Sequence, residues 1–155
     1  ALSALLLLVA LVVVRGSRAA DRARWMTAVS WLMLVHVGLS LALLGPASYP
    51  AFFADGLPTT AVSWSLMLGV VAAAFAPRLG RDVKADPAAL AWLPAAGLLA
   101  LAAGLHAGLL GFGGWATPGK WPGAMPPITL LAFVAGVAGA AVAGVRWRGS
   151  WSRGR

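Results

Sequence analysis

Two histidines are the side chains with the clearest potential for chemistry, because each falls within a long uncharged segment. His36 lies in WMTAVSWLMLVHVGLSLALL (25–44) and His106 in WLPAAGLLALAAGLHAGLLGF (92–112). An ionisable side chain within a membrane span is by default a candidate for function. His36 and His106 are therefore the candidate cofactor-binding residues, as axial ligands of a tetrapyrrole metal. The alternative is a neutral histidine that hydrogen-bonds a neighbouring helix or lines a small wet cavity.

The depth of the two histidines helps to choose between haem b and (bacterio)chlorophyll. At about 1.5 Å of rise per residue, His36 lies roughly 16 Å from the basic end of its segment and His106 about 20–25 Å from its own. Such an offset disfavours one iron shared by both imidazoles, whereas a separate chlorophyll on each histidine needs no matched depth. The spacing of Ala102, His106 and Leu110 also resembles that of light-harvesting helices.

The rest of the catalytic inventory is thin. The sequence has no cysteine and no glutamate, and its four Asp residues fall in predicted loops. The lack of cysteine excludes disulfides and thiolate nucleophiles. The lack of a carboxylate within the apolar segments disfavours a cation-coupled pump with a buried acid, and no paired carboxylates are visible. We predict no catalytic residue, and an enzyme is disfavoured. A metal role is restricted to His36 and His106 as tetrapyrrole ligands.

Composition indicates that lipid surrounds the chain. Of the 155 residues 61% are hydrophobic and 10% charged, and the mean hydropathy is +0.86. Soluble domains carry about 25% charged residues. The chain is predicted to be one all-α integral membrane bundle, residues 1–155, with about five transmembrane helices. Their predicted bounds are 1–14, 25–44, 61–76, 89–112 and 128–145, followed by a basic tail, 146–155.

Prolines punctuate these segments. Pro77 is predicted to end the third helix, and Pro77–Pro87 to form a charged turn. Pro94 falls in the first turn of the fourth helix, where its missing N–H costs little. Ala1–Val14 is short for a span. We interpret it as a clipped helix rather than a signal peptide, because arginines follow it and no basic flank precedes it.

The basic residues predict the orientation. Eleven of the twelve Lys and Arg residues lie in Arg15–Arg24, Pro77–Pro87 and the C-terminal tail, and Lys120 is the exception. With five spans these three segments share one side, which the positive-inside bias makes cytoplasmic. The prediction is a multi-pass, N-out/C-in protein of a bacterial cytoplasmic membrane. The net charge of +8 is then explained by attraction of the basic segments to anionic lipid headgroups, and no nucleic acid is predicted as a partner.

The loops Gly45–Thr60 and Gly113–Pro127 both lie on the predicted outer side and are rich in proline and aromatic residues. Such rings favour the membrane interface. The two loops are predicted to cap an apolar cavity suited to a lipid, quinone or pigment. Its predicted lining is His36, Ser40, Trp64 and His106.

Small residues indicate close helix packing in lipid. They are Gly104 and Gly108 around His106, and Gly136, Ala140 and Gly144 in the last segment. Because the last segment is small on nearly every face, we predict contacts with other membrane subunits or a second copy of this chain. The first functional hypothesis is a non-enzymatic accessory or structural subunit of a larger membrane complex. The alternative is a tetrapyrrole- or quinone-binding protein using His36 and His106, and the third is a small transporter.

A family resemblance covers about residues 24–77. It lies in RWMTAVSWLMLVHVGLSLALLG with His36 at mid-helix, in AFFADGL with Asp55 and Gly56, in the tryptophan-bearing SWSLMLGVVAAAF, and in the basic turn after them. In this order of features the chain resembles a family of small bacterial membrane proteins of unknown function, about four helices long. The resemblance implies a small helical membrane protein and no assigned activity.

Overall fold

Four long helices make up most of the computed structural model, which describes residues 19–85, 92–121 and 125–151. They are α1 (Ala19–Leu43), α2 (Thr60–Ala85), α3 (Leu93–Trp115) and α4 (Ile128–Trp151). Each contains a stretch long and apolar enough to cross a membrane. The predicted segment 1–14 lies outside the described residues. The described part of the chain thus has four helices that could each cross a membrane, and the fifth span stays a prediction.

Successive helices run antiparallel, as the order of their contacts shows. Along α3, Gly97 faces Ala143 of α4, Gly104 faces Gly136, and Gly111 faces Thr129. Along α2 and α3, His106 contacts Ser65 and Gly69, while Ala95 lines a groove with Arg78. The beginning of α1 packs near Ala76 and Leu79 of α2. Each helix therefore packs chiefly on the next, in an up-and-down bundle.

This order places the described basic side chains at one end of the bundle. They are Arg24 at the beginning of α1, Arg78 and Arg81 near the end of α2, and Arg146 and Arg148 near the end of α4. The opposite end holds the connection from α1 to α2 and the one from α3 to α4. We call these two ends the basic end and the loop end.

Pro77 does not end its helix, contrary to the prediction. α2 runs through it to Ala85, so most of the predicted turn Pro77–Pro87 is helical. A proline removes one N–H and crowds the carbonyl four residues earlier, here that of Ala73. Spanning helices tolerate this because neighbouring helices and local adjustments satisfy the freed group. The Arg, Leu and Lys residues that follow also favour helix, so nothing beyond Pro77 breaks it.

Three other helices extend beyond one of their predicted ends. α1 begins at Ala19, inside the predicted loop Arg15–Arg24, and its first turn carries Asp21, which suits the positive end of a helix dipole. α3 continues through Gly113 and Gly114 to Trp115. α4 takes in the predicted tail as far as Trp151, with Arg148 in the last turn. The charged residues at these ends led to the prediction of loops. They can be helical because a long arginine side chain reaches from the end of a helix to the membrane interface.

The connection between α1 and α2 contains a small β-ribbon that the sequence reasoning missed. A 3₁₀ turn, Pro50–Phe52, leads into β1 (Phe53–Ala54), which pairs antiparallel with β2 (Leu57–Pro58). Asp55 and Gly56 join the strands with φ angles of 52° and 78°. Both are positive, as a two-residue hairpin turn of type I′ requires, and Asp-Gly is a typical sequence for it. That dipeptide is the signal that predicts the ribbon.

The buried core lies towards the basic end, and its largest fully buried apolar side chains are those of Met26, Val29 and Leu93. Much of the remaining apolar surface faces outward: the side chains of Trp31, Phe112 and Val145 are 65%, 73% and 71% exposed. In water such a surface favours aggregation, since soluble monomers rarely expose large contiguous apolar patches. An apolar outer surface is expected where lipid surrounds the helices, in agreement with the four candidate spans.

Candidate functional site

His106 is the centre of the hydrogen-bonded cluster that joins α2 to α3. Its Nδ1 lies 2.7 Å from the backbone carbonyl oxygen of Ser65 and 2.8 Å from the Ser65 hydroxyl oxygen. The same hydroxyl donates to the His106 carbonyl oxygen at 2.9 Å. Ser65 is buried at 1% exposure and His106 is half-buried. Two polar residues thus satisfy each other within an apolar helix pair.

These partners assign the proton on the imidazole of His106. A carbonyl oxygen only accepts, so Nδ1 must carry the hydrogen that fills the 2.7 Å contact with Ser65. The single hydroxyl proton of Ser65 is already donated to the His106 carbonyl, which leaves its oxygen free to accept from Nδ1. Nε2 is therefore the nitrogen with the lone pair, the one that accepts a proton or binds a metal.

Gly69 provides the space for the imidazole. It lies one turn after Ser65 on α2, and a Cβ added there would be 3.1 Å from Nδ1 of His106 and 3.2 Å from Cε1. Those separations are tight for non-bonded atoms. One face of α2 therefore holds the ring at Ser65 and leaves room for it at Gly69.

His36 lies against His106 across the bundle. The two ring centres are 6.0 Å apart and the ring planes meet at 77°. His36 is half-buried on α1, and among the described residues it makes no side-chain hydrogen bond. The sequence-based estimate gave the two histidines different depths, but the structure brings their rings into contact. That estimate counted residues from predicted helix ends, which are a poor measure of depth, since α1 begins at Ala19 and not at the predicted Trp25.

No family model, curated protein or solved structure matches the chain. The resemblance over residues 24–77 therefore stays a prediction. What the site does has to follow from the chemistry of His36, His106, Ser65 and Gly69, to which we give the name histidine pair site.

The predicted cavity lining is only partly brought together. Ser40 is half-buried one turn after His36. Trp64 is 53% exposed, so most of its indole faces away from the bundle rather than into a cavity. It precedes Ser65 by one position, about 100° around the helix. Ser65 takes the inward place that the prediction gave to Trp64.

Aromatic side chains close the loop end between α3 and α4. The Trp115 ring lies 5.5 Å from Phe112 and 5.2 Å from Phe133, measured between ring centres. Its Nε1 donates to the Thr129 hydroxyl at 3.1 Å, and the indole of Trp121 donates to the Gly114 carbonyl at 3.2 Å. This cluster fastens the predicted capping loop to α3 and α4.

The predicted packing residues lie mostly between α3 and α4. A Cβ on Gly136 would be 2.5 Å from the Ala100 carbonyl oxygen and 2.8 Å from Gly104 Cα, and one on Gly108 would meet the Phe133 ring at 3.1 Å. Ala140 lies opposite Gly97, whereas a Cβ on Gly144 would meet nothing within 4 Å. The two backbones approach closely only because these residues are small.

The sequence reasoning missed Ser65 and Gly69. The signal was present, because a serine and a glycine four positions apart in an apolar segment form a small-xxx-small pattern with a polar group at one end. Within residues 19–85, 92–121 and 125–151, no three His, Cys, Asp or Glu side chains come together to hold a metal ion. The histidine pair site thus offers two imidazole ligands, and no described Cys, Asp, Glu or further His joins them.

Proposed function

We propose that this chain is a haem-binding membrane protein in which His36 and His106 are the two axial ligands of one iron. The observation that carries the proposal is the carbonyl of Ser65 on Nδ1 of His106, at 2.7 Å. A metal-bound histidine almost always donates its other ring N–H to a carbonyl, carboxylate or water, which fixes the tautomer and the ring orientation. His106 has this partner, and its Nε2 is the free nitrogen.

The separation of the two rings supports a shared metal. Two imidazoles on one ion, each with a metal–nitrogen bond of about 2 Å, have ring centres about 6 Å apart. The observed distance is 6.0 Å. An edge-to-face contact between two neutral rings has a similar separation, so the experiment below is chosen to tell the two apart.

Haem fits the ligand count better than a bare ion. A structural zinc site takes four protein ligands, and the described residues offer two imidazoles here. An iron held by a porphyrin receives four nitrogens from the macrocycle and needs only two axial ligands from the chain. A chlorophyll on each histidine needs two macrocycles where the rings are only 6.0 Å apart. One haem between α1 and α3 is the simpler occupant.

Spectroscopy of purified protein tests this proposal. The chain is produced in a haem-replete host, extracted in mild detergent and titrated with hemin. We expect close to one haem per chain, a Soret band and a low-spin ferric signal from two imidazoles. His36→Ala should convert the iron to high spin, and His106→Ala should abolish most of the binding. Ser30→Ala is the matched control on α1, since the Ser30 hydroxyl bonds only to Met26 of its own helix.

Two results would contradict the proposal. One is a colourless protein that shows no Soret shift on titration with hemin. The other is haem binding that His36→Ala and His106→Ala leave unchanged, which would mean that the iron is held elsewhere. In either case the histidines form only a structural contact between helices.

The orientation is proposed with the site. Five spans with the N-terminus outside and the C-terminus inside a bacterial cytoplasmic membrane are supported by the arginines collected at the basic end. The absence of cysteine makes the test clean. A single cysteine at Lys120 should react with a membrane-impermeant thiol reagent in intact cells, and one at Arg81 should react only after lysis. The reverse pattern would invert the topology.

The accessory-subunit hypothesis has less support than haem binding. It was drawn from small residues in the last two segments, and Gly104 and Gly136 pack against each other within this chain. These two positions therefore offer no free face to another subunit. No feature of the described residues favours a transporter over the other two hypotheses.

A further inference from the structure

A groove between α2 and α3 lies apart from the histidine pair site. Its volume is about 530 Å³, within the range of about 300–1,000 Å³ typical of small-molecule sites. α2 contributes Val71, Phe75 and Leu79, and α3 contributes Leu98, Leu99 and Ala102. Among the described residues that line it, Arg78 is the charged one. We call this feature the Arg78 groove.

The Arg78 groove has the depth of one lipid leaflet. Arg78 is in the last turn of the span Thr60–Leu79, at the basic end. From Leu79 back to Val71 the groove extends about 12 Å along the helix axis, at about 1.5 Å per residue. Half of a hydrocarbon core of about 30 Å is about 15 Å. The charged end thus lies near the interface and the apolar part reaches towards the midplane.

Arg78 is not neutralised by the part of the chain that the structure describes. Its guanidinium carbon lies 5.9 Å from the centre of the Phe75 ring, and no described carboxylate pairs with it. A planar guanidinium binds phosphate through two parallel hydrogen bonds. A guanidinium at the mouth of an apolar groove is complementary to an anionic amphiphile.

We propose that the Arg78 groove binds one acyl chain of an anionic phospholipid, with the lipid phosphate at Arg78. The bilayer is as apolar as the groove, so burying the chain there adds little free energy. Selectivity therefore comes from the charge, and the apolar wall determines where the chain lies. The inference is independent of haem, because the groove ends at Ala102, one helical turn before His106.

Native mass spectrometry of the full chain in detergent tests the proposal. The probes are phosphatidylglycerol and phosphatidylcholine with identical acyl chains. We expect wild type to retain phosphatidylglycerol preferentially, and Arg78→Gln to lower that preference about tenfold, because the charge-assisted contact between guanidinium and phosphate is lost. Arg81→Gln is the matched control, an exposed arginine three positions further on that does not line the groove. An equal loss in both variants would mean diffuse surface charge and overturn the proposal.

A second pair of variants tests the groove itself. Ala102→Phe places a ring in the groove and should lower lipid retention, whereas Val134→Phe on the exposed face of α4 should not. Unchanged retention in Ala102→Phe would overturn the proposal. Two other occupants would do so as well. A second copy of the chain is indicated if Ala102→Phe dissociates a dimer, and residues 1–14 are indicated if a cysteine there cross-links to one at Leu98.

Discussion

The Nδ1 atom of His106 lies 2.7 Å from the backbone carbonyl oxygen of Ser65. The acceptor is a main-chain atom, so a substitution at position 65 keeps this contact unless it also moves α2. The Ser65 side chain makes two further contacts, because its hydroxyl lies within hydrogen-bond distance of Nδ1 and donates to the His106 carbonyl. The two contributions can therefore be separated by mutation.

Ser65→Ala should weaken the helix pair and leave the ligand chemistry in place. It removes the hydroxyl bonds, each worth about 1 kcal/mol net, but keeps the carbonyl that holds Nδ1–H. We expect a lower unfolding temperature in detergent with an unchanged Soret position in the haem-loaded protein. A shift to a high-spin spectrum would show instead that the hydroxyl holds the imidazole.

Gly69→Ala should disturb His106 more than Ser65→Ala does. The new methyl lies 3.1 Å from Nδ1, so the imidazole has to tilt or α2 has to move away. We expect a loss of about 1–3 kcal/mol in the free energy of unfolding, typical of overpacking, together with a broadened low-spin signal of the bound iron.

The control for Gly69→Ala is Gly38→Ala on α1, where an added Cβ meets nothing within 4 Å. Alanine is the better helix former by about 1 kcal/mol, so this variant should be neutral or more stable. If both glycine variants behave alike, the space beside His106 is not specific.

The sequence could predict the histidines but not what holds them. Their type and their place in uncharged segments are visible in the order of residues. Ser65 becomes important only because antiparallel packing brings it beside His106, 41 positions away. The helix ends were mispredicted for a related reason, since they are set by capping and by the neighbouring helices rather than by the first charged residue. Pro77 shows the same effect, as a stop signal in water that a membrane helix tolerates.

Gly136→Ala should separate α3 from α4. Its methyl would lie 2.5 Å from the Ala100 carbonyl oxygen and 2.8 Å from the Gly104 Cα, both backbone atoms that cannot turn aside. We expect destabilisation of about 1–3 kcal/mol, measured as the unfolding free energy in a detergent–denaturant titration. Gly144→Ala, which enters open space on the same helix, should have no such cost. Equal effects at the two positions would mean that helix flexibility, and not close approach, governs stability.

Trp92, which is buried, and Trp115, which is half-buried, allow two indole N–H groups at the two ends of α3 to be compared. The Trp92 side chain is 5% exposed, and its Nε1 has no hydrogen-bond partner among the described residues, whereas Nε1 of Trp115 donates to Thr129. A buried N–H without a partner costs about 1–3 kcal/mol, and a satisfied one contributes about 1 kcal/mol. Trp92→Phe should therefore raise the unfolding temperature or leave it unchanged despite the smaller ring, and Trp115→Phe should lower it. Thermal unfolding of both variants in one detergent checks the sign. A larger loss at Trp92 than at Trp115 would contradict the prediction and show that the packing of the buried ring outweighs its unpaired N–H.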